Sequence, residues 1–225
     1  MATTFAFDVY GTLINTHAVV ATLEKWIGVK AISVSHTWRD KQLEYSFRRG
    51  LMQHYQPFSV CTRDALQYAC QFHDIQLSTE QKQVLLDSYL LLPAFDDVQP
   101  ALEALKKKGV RLFAFSNGET SAVESLLKHA GIHSYFEGII SCEKVMSFKP
   151  NPAVYSLLLR ETQAIASDVW LISSNSFDVI GAISSGIRAV WVQRSKQTVF
   201  DPWGIEPTKT MTDLQGLTAI KSIIN

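Results

Sequence analysis

An apolar run that ends at a single carboxylate constrains this chain more than any other stretch; it reads FAFDVYGT over residues 5–12. Apolar residues lead up to Asp8, and Gly11 breaks the pattern three residues later, which predicts a buried strand with Asp8 at its C-terminal end. In an open α/β sheet, ligands bind beyond the carboxyl ends of the strands. Asp8 is therefore a candidate for chemistry, although an isolated aspartate here could instead cap the following turn.

From residue 93 onward, helix patterns alternate with short apolar runs typical of buried strands. The predicted strands cover residues 110–115, 138–141, 169–172 and 188–192. This alternation implies a parallel sheet with right-handed crossovers. The predicted fold class is α/β, with a Rossmann-like parallel-sheet core.

Residues 16–92 contain four helical patterns and no strand pattern. The fourth pattern begins at Ser78, three residues before Gln81, which is the spacing of a capping box. We expect a helical cap, or lid, domain over residues 16–92, inserted into a core domain formed by residues 1–15 and 93–225. Such a lid can close over the end of the first strand and exclude water.

Polar side chains follow four of the predicted strands. Because the carboxyl ends of parallel strands lie on one edge of the sheet, these side chains should gather in one place. The candidate set is Asp8, Ser116, Asn117, Lys149, Ser173, Asn175 and Asp178.

The charge balance limits the partners. Lys plus Arg and Asp plus Glu both number 21 in 225 residues, so no electrostatic basis exists for binding nucleic acid or an anionic membrane. We expect neither partner, and a small neutral or anionic substrate in a local site instead. Hydrophobic residues make up 47% of the chain, enough for a sizeable core.

Targeting and redox signals are weak. The three cysteines are odd in number and lack CxxC spacing, which favours a reducing compartment. The N-terminus shows no secretory signal pattern, and no apolar run approaches the length of a membrane span. A soluble cytoplasmic protein is expected. The six histidines form no metal-ligand pattern, and no GxSxG motif is present.

Five stretches carry a family resemblance: FDVYGTL, WRDKQLEYSF, FSNG, SFKPNPAVY and ISSNSFD. Together they resemble the haloacid dehalogenase superfamily and, within it, the (S)-2-haloacid dehalogenases, also called type II or L-2-haloacid dehalogenases. The second stretch and SSNSFD are specific to that branch. The resemblance spans nearly the whole chain and implies a homodimer with contacts through the lid helices.

The same resemblance separates dehalogenation from phosphate chemistry. Phosphatases of the superfamily have a second aspartate two residues after the nucleophile, where this chain has Tyr10. Its fourth motif offers one carboxylate, Asp178, which is too few for a convincing Mg²⁺ site. We therefore expect no metal and no cofactor.

The family mechanism implies that Asp8 attacks the halogen-bearing carbon and forms an ester, which water then hydrolyses. One inversion converts an (S)-2-haloacid into an (R)-2-hydroxy acid. By resemblance, Arg39 and Asn117 bind the leaving halide beside Phe177, and Ser116 binds the substrate carboxylate. Phe177 stands where some relatives have Trp, and Asp40 follows Arg39 where many have Gln, which leaves halide and chain-length preference open.

The remaining roles concern the nucleophile and the water. Lys149 is expected to pair with Asp8, and Asp178 either takes the proton from water or fixes Lys149. The other positions implied by the resemblance are Ser173 and Asn175 near the water, Thr12 and Tyr155 as hydrogen-bonding supports, and Tyr10, Leu43 and Phe58 as an apolar wall. Thr12 and Tyr155 could equally be a cap and a core residue, and the wall could be plain core.

Other functions remain open at this point. A related hydrolase could use the same ester chemistry on a fluorinated acid or a strained cyclic amino acid. A Mg²⁺-dependent phosphatase of the superfamily and a non-catalytic binding protein are the remaining alternatives.

Overall fold

A six-stranded parallel sheet forms the centre of the protein in a computed structural model that describes residues 3–220. Its strands, in chain order, are β1 (Thr4–Asp8), β2 (Arg111–Ser116), β3 (Gly138–Ser141), β4 (Val169–Ser173), β5 (Arg188–Val192) and β6 (Lys209–Met211). Their order in the sheet is β3-β2-β1-β4-β5-β6. The chain thus builds outward from β1 on one side and then on the other, which makes the end of β1 a topological switch point.

Eight α-helices accompany the sheet in the described part of the chain. They are α1 (Val20–Ile27), α2 (Ala31–Leu51), α3 (Phe58–Phe72), α4 (Thr79–Ser88), α5 (Val98–Lys107), α6 (Thr120–His129), α7 (Pro152–Thr162) and α8 (Ser176–Ser184). Helices α1 to α4 lie in the chain between β1 and α5, whereas α5 to α8 alternate with the strands. None of them is long and apolar enough to cross a membrane.

Local sequence explains where two of the helices begin. Ser78 and Gln81 form the predicted capping box at the start of α4. At α7, the Asn151 side chain accepts a hydrogen bond from the Ala153 N–H, and Pro152 occupies the first turn, where a missing N–H costs nothing. The predicted capping box at the start of α4 is confirmed.

The α/β fold class is confirmed. Strand β6 was not predicted, because it is a three-residue edge strand without a buried apolar pattern. Helix α3 begins at Phe58, directly after Pro57. Helix α4 ends at Ser88, since the following amides bond three residues back and tighten the last turn.

One continuous apolar cluster joins the four inserted helices to the sheet. It contains side chains of β1, such as Phe5 and Phe7, together with Leu23 of α1, Trp38 of α2 and Leu85 of α4. The indole N–H of Trp38 also donates to the Thr62 carbonyl, at 2.8 Å. The inserted helices are therefore packed against the end of the sheet that carries Asp8.

Candidate active site

The Lys149 side chain makes three hydrogen bonds at the carboxyl edge of the sheet. Its ammonium donates to Asp8 Oδ1 at 3.0 Å, to Asp178 Oδ2 at 2.8 Å and to the Phe115 carbonyl at 2.8 Å. The same nitrogen lies 4.1 Å from the centre of the Phe115 ring. All three of its N–H donors are satisfied, so Lys149 is fixed in position although it is only 1% exposed.

Asp8 stands at the end of β1 and is 6% exposed. Its Oδ2 accepts from the Thr12 hydroxyl at 2.7 Å and from the Asn175 amide at 2.8 Å. With Lys149 on Oδ1, three donors orient the carboxylate. They fix the direction of both carboxylate oxygens.

The turn after β1 is bonded to the turn after β4. The Ser174 N–H donates to the Thr12 hydroxyl at 2.8 Å, and the Ser174 hydroxyl donates to the Gly11 carbonyl at 2.9 Å. Because its oxygen accepts from Ser174, the Thr12 hydroxyl proton is directed at Asp8. Ser174 belongs to the fourth motif but was not among the predicted site residues.

Asp178 is fully buried between Lys149 and Tyr155. The Tyr155 hydroxyl donates to Asp178 Oδ1 at 2.9 Å. Burial raises the pKa of Asp178 to about 6, with Asp8 adding to the rise and Lys149 opposing it. Burial alone would lower the pKa of Lys149, but the carboxylates of Asp178 and Asp8 outweigh it and raise that pKa to about 12. One cation thus faces two buried carboxylates.

Asn117 and Ser116 follow β2 with their polar groups oriented by the backbone. Asn117 Oδ1 accepts the Lys149 backbone N–H at 2.9 Å, which leaves the Asn117 NH₂ group available to donate. The Ser116 hydroxyl accepts the Gly118 N–H at 3.0 Å and keeps its own proton to donate. Both side chains can therefore present donors to an anion.

Asn175 and Ser173 follow β4 in the same way. Asn175 donates through Nδ2 to Asp8, so its Oδ1 can accept a hydrogen bond from water. The Ser173 hydroxyl accepts the Asn175 N–H at 3.1 Å, which places Ser173 as a support for Asn175.

Arg39 reaches the edge from α2. Its guanidinium donates to the Tyr10 carbonyl at 3.3 Å and to Gln42 Oε1 at 2.7 Å. Gln42 is fully buried and donates onward to the Thr62 hydroxyl at 2.6 Å. Sequence reasoning missed Gln42, although its position one helical turn after Arg39 could have suggested this contact.

The apolar candidates divide into two groups. Tyr10 and Phe58 lie with ring centres 5.8 Å apart, and burial followed by the charge of Glu119 raises the pKa of Tyr10. Phe177 instead packs edge-on against Phe47 of α2, at 4.9 Å. Leu43 is half-buried, one turn beyond Arg39 on α2.

A third residue outside the predictions is Arg194. It donates to the Thr12 carbonyl at 2.5 Å and to both oxygens of Asp97, at 2.7 and 2.8 Å. Among residues 3–220, no group of three His, Cys, Asp or Glu side chains is arranged to hold a metal ion.

The chain is similar to known proteins in sequence and in fold. It matches the model described as haloacid dehalogenase-like hydrolase over residues 2–186. It is 35% identical over 211 residues to (S)-2-haloacid dehalogenase 2 of Pseudomonas sp. strain CBS-3, covering 94% of this chain and 92% of the relative. It is also 35% identical over 206 residues to haloacetate dehalogenase H-2 of Moraxella sp. strain B, covering 92% of each.

A solved structure shows the same fold. The L-2-haloacid dehalogenase from Xanthobacter autotrophicus, with chloropropionic acid covalently bound, superposes with a TM-score of 0.88 at 26% identity. The superposition covers 97% of this chain and 98% of that structure.

Proposed function

The chain belongs to the haloacid dehalogenase-like hydrolases, and we propose that it converts (S)-2-haloacids into (R)-2-hydroxy acids through an ester on Asp8. The observation that carries this proposal is the environment of Asp8, a carboxylate at the strand end held by Lys149, Thr12 and Asn175. The covalent chloropropionic acid in the Xanthobacter structure supports the ester intermediate.

In the first step, one oxygen of Asp8 attacks the halogen-bearing carbon from the side opposite the halogen. A carbon–oxygen bond forms while the carbon–halogen bond breaks, and the halide leaves with the bonding electrons. Arg39 and the NH₂ group of Asn117 receive the halide, and Ser116 holds the substrate carboxylate. Phe177 lies beside the halide, and Tyr10, Leu43 and Phe58 form the apolar wall.

The two oxygens of Asp8 have different roles. Oδ2 accepts two hydrogen bonds, from Thr12 and Asn175, whereas Oδ1 accepts only that of Lys149. Two preorganised donors suit the oxygen that carries negative charge in the tetrahedral intermediate. Oδ2 thus becomes the ester carbonyl oxygen, and Oδ1 is the attacking atom.

In the second step, water attacks the ester carbonyl carbon of Asp8 and releases the 2-hydroxy acid and one proton. Asn175 Oδ1 accepts a hydrogen bond from this water, with Ser173 holding Asn175. Both carboxylate oxygens of Asp178 already bond Lys149 and Tyr155, which favours a role in fixing Lys149 over direct proton transfer. Tyr155 in turn fixes Asp178.

The proposed cap domain, residues 16–92, contributes Arg39, Leu43 and Phe58, so the site is complete only with the cap closed.

The homodimer and the cytoplasmic location are proposed on the family resemblance. Large apolar side chains exposed on this cap support a contact surface there. They include Ile32, Leu51, Met52, Phe72 and Leu91. Light scattering after size exclusion measures the oligomeric state, and monomers at micromolar concentration would contradict the dimer.

The decisive experiment measures chloride release from (S)-2-chloropropionate in EDTA, beside the (R) enantiomer and chloroacetate. We expect release from the (S) acid and none from the (R) acid. Asp8→Asn should abolish release, whereas Asp96→Asn, an exposed aspartate before α5, should retain it.

Single turnover in ¹⁸O-labelled water tests the ester directly. Enzyme in excess should place the label in Asp8 and unlabelled oxygen in the hydroxy acid, because the product oxygen comes from the carboxylate. Label in the first-turnover product would instead show direct attack by water on the substrate and overturn the ester mechanism.

A further inference from the structure

A cleft lies beside Arg39. It encloses about 220 Å³ and is lined by the segment after β1, by helix α2 and by Tyr89. Its lining residues are Thr16, His17, Ser35, His36, Arg39, Asp40 and Tyr89. None of these except Arg39 belongs to the proposed catalytic machinery.

Two hydroxyl groups line this cleft and are available to donate. Thr16 is 8% exposed and Ser35 is 6% exposed, and neither hydroxyl makes a hydrogen bond to any described residue. Both oxygens retain contact with solvent. Each hydroxyl can therefore donate to a ligand with acceptor capacity in the cleft.

The charged and titratable residues that line the cleft favour an anionic ligand. Arg39 is always a cation, and only two of its N–H groups have acceptors among residues 3–220, Tyr10 and Gln42. The rings of His17 and His36 face each other edge-on at 5.8 Å and add up to two further positive charges on protonation. Asp40 is the one carboxylate that lines the cleft and opposes them.

We infer that this cleft is a binding site for a small monovalent anion, formed by Thr16, Ser35, Arg39 and the histidine pair. The chemistry is shared by a halide and by the carboxylate of a short 2-hydroxy acid. This role rests on the proposed function: an anion released at Arg39 passes through the cleft on its way to solvent. Tyr89, which also lines the cleft, stays neutral, since burial raises its pKa to about 12.

The affinity of the cleft for an anion should depend on pH. Partial burial, followed by the charges of His36 and Arg39, lowers the pKa of His17. A bound anion offsets those positive charges and raises the pKa of His17. By linkage, anion affinity must then increase as the pH falls and His17 takes up its proton. The other groups facing the cleft, Asp40 and Tyr89, do not reverse this sign.

Bromide is the probe for the first test, in crystals of the Asp8→Asn protein at pH 5.5 and pH 8. Anomalous diffraction locates bromide without turnover and separates the cleft from a halide position beside Asn117. We expect bromide in the cleft at the lower pH. Bromide beside Asn117 alone would overturn the inference and leave the proposed function intact.

Affinity in solution is measured by chloride NMR line broadening, with (R)-lactate as the competitor. Ser35→Ala and His17→Gln should each weaken binding about tenfold, and Asp40→Asn should strengthen it. His129→Gln, an exposed histidine on α6, is the matched control. Lactate that displaces chloride identifies the carboxylate as a second occupant, whereas equal affinities in all variants would contradict the site.

Discussion

Gly181 of α8 leaves open the volume that the phenol of Tyr155 occupies. A Cβ atom placed on Gly181 would overlap the Tyr155 hydroxyl and the adjoining ring carbons. The same hydroxyl donates to Asp178, which in turn accepts from Lys149. A glycine three helical positions from a motif residue is thus connected to the nucleophile through three side chains.

Gly181→Ala should reduce both stability and activity. Overpacking a buried site costs about 1–3 kcal/mol, and a displaced Tyr155 no longer fixes Asp178. Gly50→Ala is the control, because a Cβ there meets Ser147 at an ordinary 3.5 Å and α2 gains helix propensity. Urea unfolding and chloride release measure the two effects. Equal stability and equal chloride release in the two variants would refute the coupling through Tyr155.

Removing Lys149 should have a larger effect. Lys149→Met leaves Asp8 and Asp178 buried without their shared cation, at a cost of about 3–5 kcal/mol near pH 7. Proton uptake by Asp178, whose pKa burial raises to about 6, relieves the repulsion, so the deficit relative to the wild type should shrink at pH 5. Chloride release should fall at least about 100-fold. Lys144→Met, an exposed lysine, serves as the comparison, and a deficit that grows at pH 5 would count against this account.

The raised pKa of Asp178 predicts opposite trends for stability and activity. Its folded value of about 6 exceeds the ordinary 3.8, so between these pH values the folded state binds more protons than the unfolded state. The Asp178 contribution to the free energy of unfolding therefore decreases as the pH rises from 4 to 6, by at most about 3 kcal/mol. Hydrolysis needs the ionised carboxylate, so kcat should fall below about pH 6.

The stability trend and the activity trend are each measured as the difference between the wild type and Asp178→Asn, which removes the titrating group. Urea unfolding gives the stability difference from pH 4 to 8, and rapid-quench kinetics gives ester hydrolysis. A stability difference that stays constant with pH would show that Asp178 keeps an ordinary pKa in the folded protein.

The strand ends, and the gathering of polar side chains at them, could be predicted from the sequence. Asp8, Ser116, Asn117 and Asn175 follow strands whose apolar runs are clear, and parallel pairing brings their ends to one edge. Gln42 and Ser174 were missed because their role appears only in hydrogen bonds to Arg39 and Thr12. The hydroxyls of Thr16 and Ser35 in the cleft carry no sequence signal either, since the lining of a cleft is a property of packing.

The contacts of Arg194 could not be predicted from sequence patterns. It follows β5, whereas its partners Asp97 and Thr12 are 97 and 182 residues away in the chain. No local periodicity records such a contact. The guanidinium also lies over the Phe95 ring, at 4.2 Å, and Asp97 accepts the Leu214 N–H at 2.7 Å.

These contacts make Arg194 a positioning residue for the turn that carries Thr12. Arg194→Lys keeps the charge but loses the planar fork that bonds Asp97 and the Thr12 carbonyl together. Thr12 then holds Asp8 less firmly, and kcat should fall about tenfold with KM nearly unchanged, because substrate contacts are untouched. Arg160→Lys, an exposed arginine on α7, controls for the substitution itself.

A purely structural role for Arg194 makes a different prediction. With substrate in excess, the amplitude of the initial chloride burst counts the folded, competent enzyme. Arg194→Lys should give a full burst amplitude with a slower rate of ester formation. A smaller burst with a normal rate per competent site would mean that Arg194 stabilises the fold without positioning Asp8. The burst amplitude and its rate therefore separate the two roles, because instability changes the number of sites and misplacement of Thr12 changes the speed of each one.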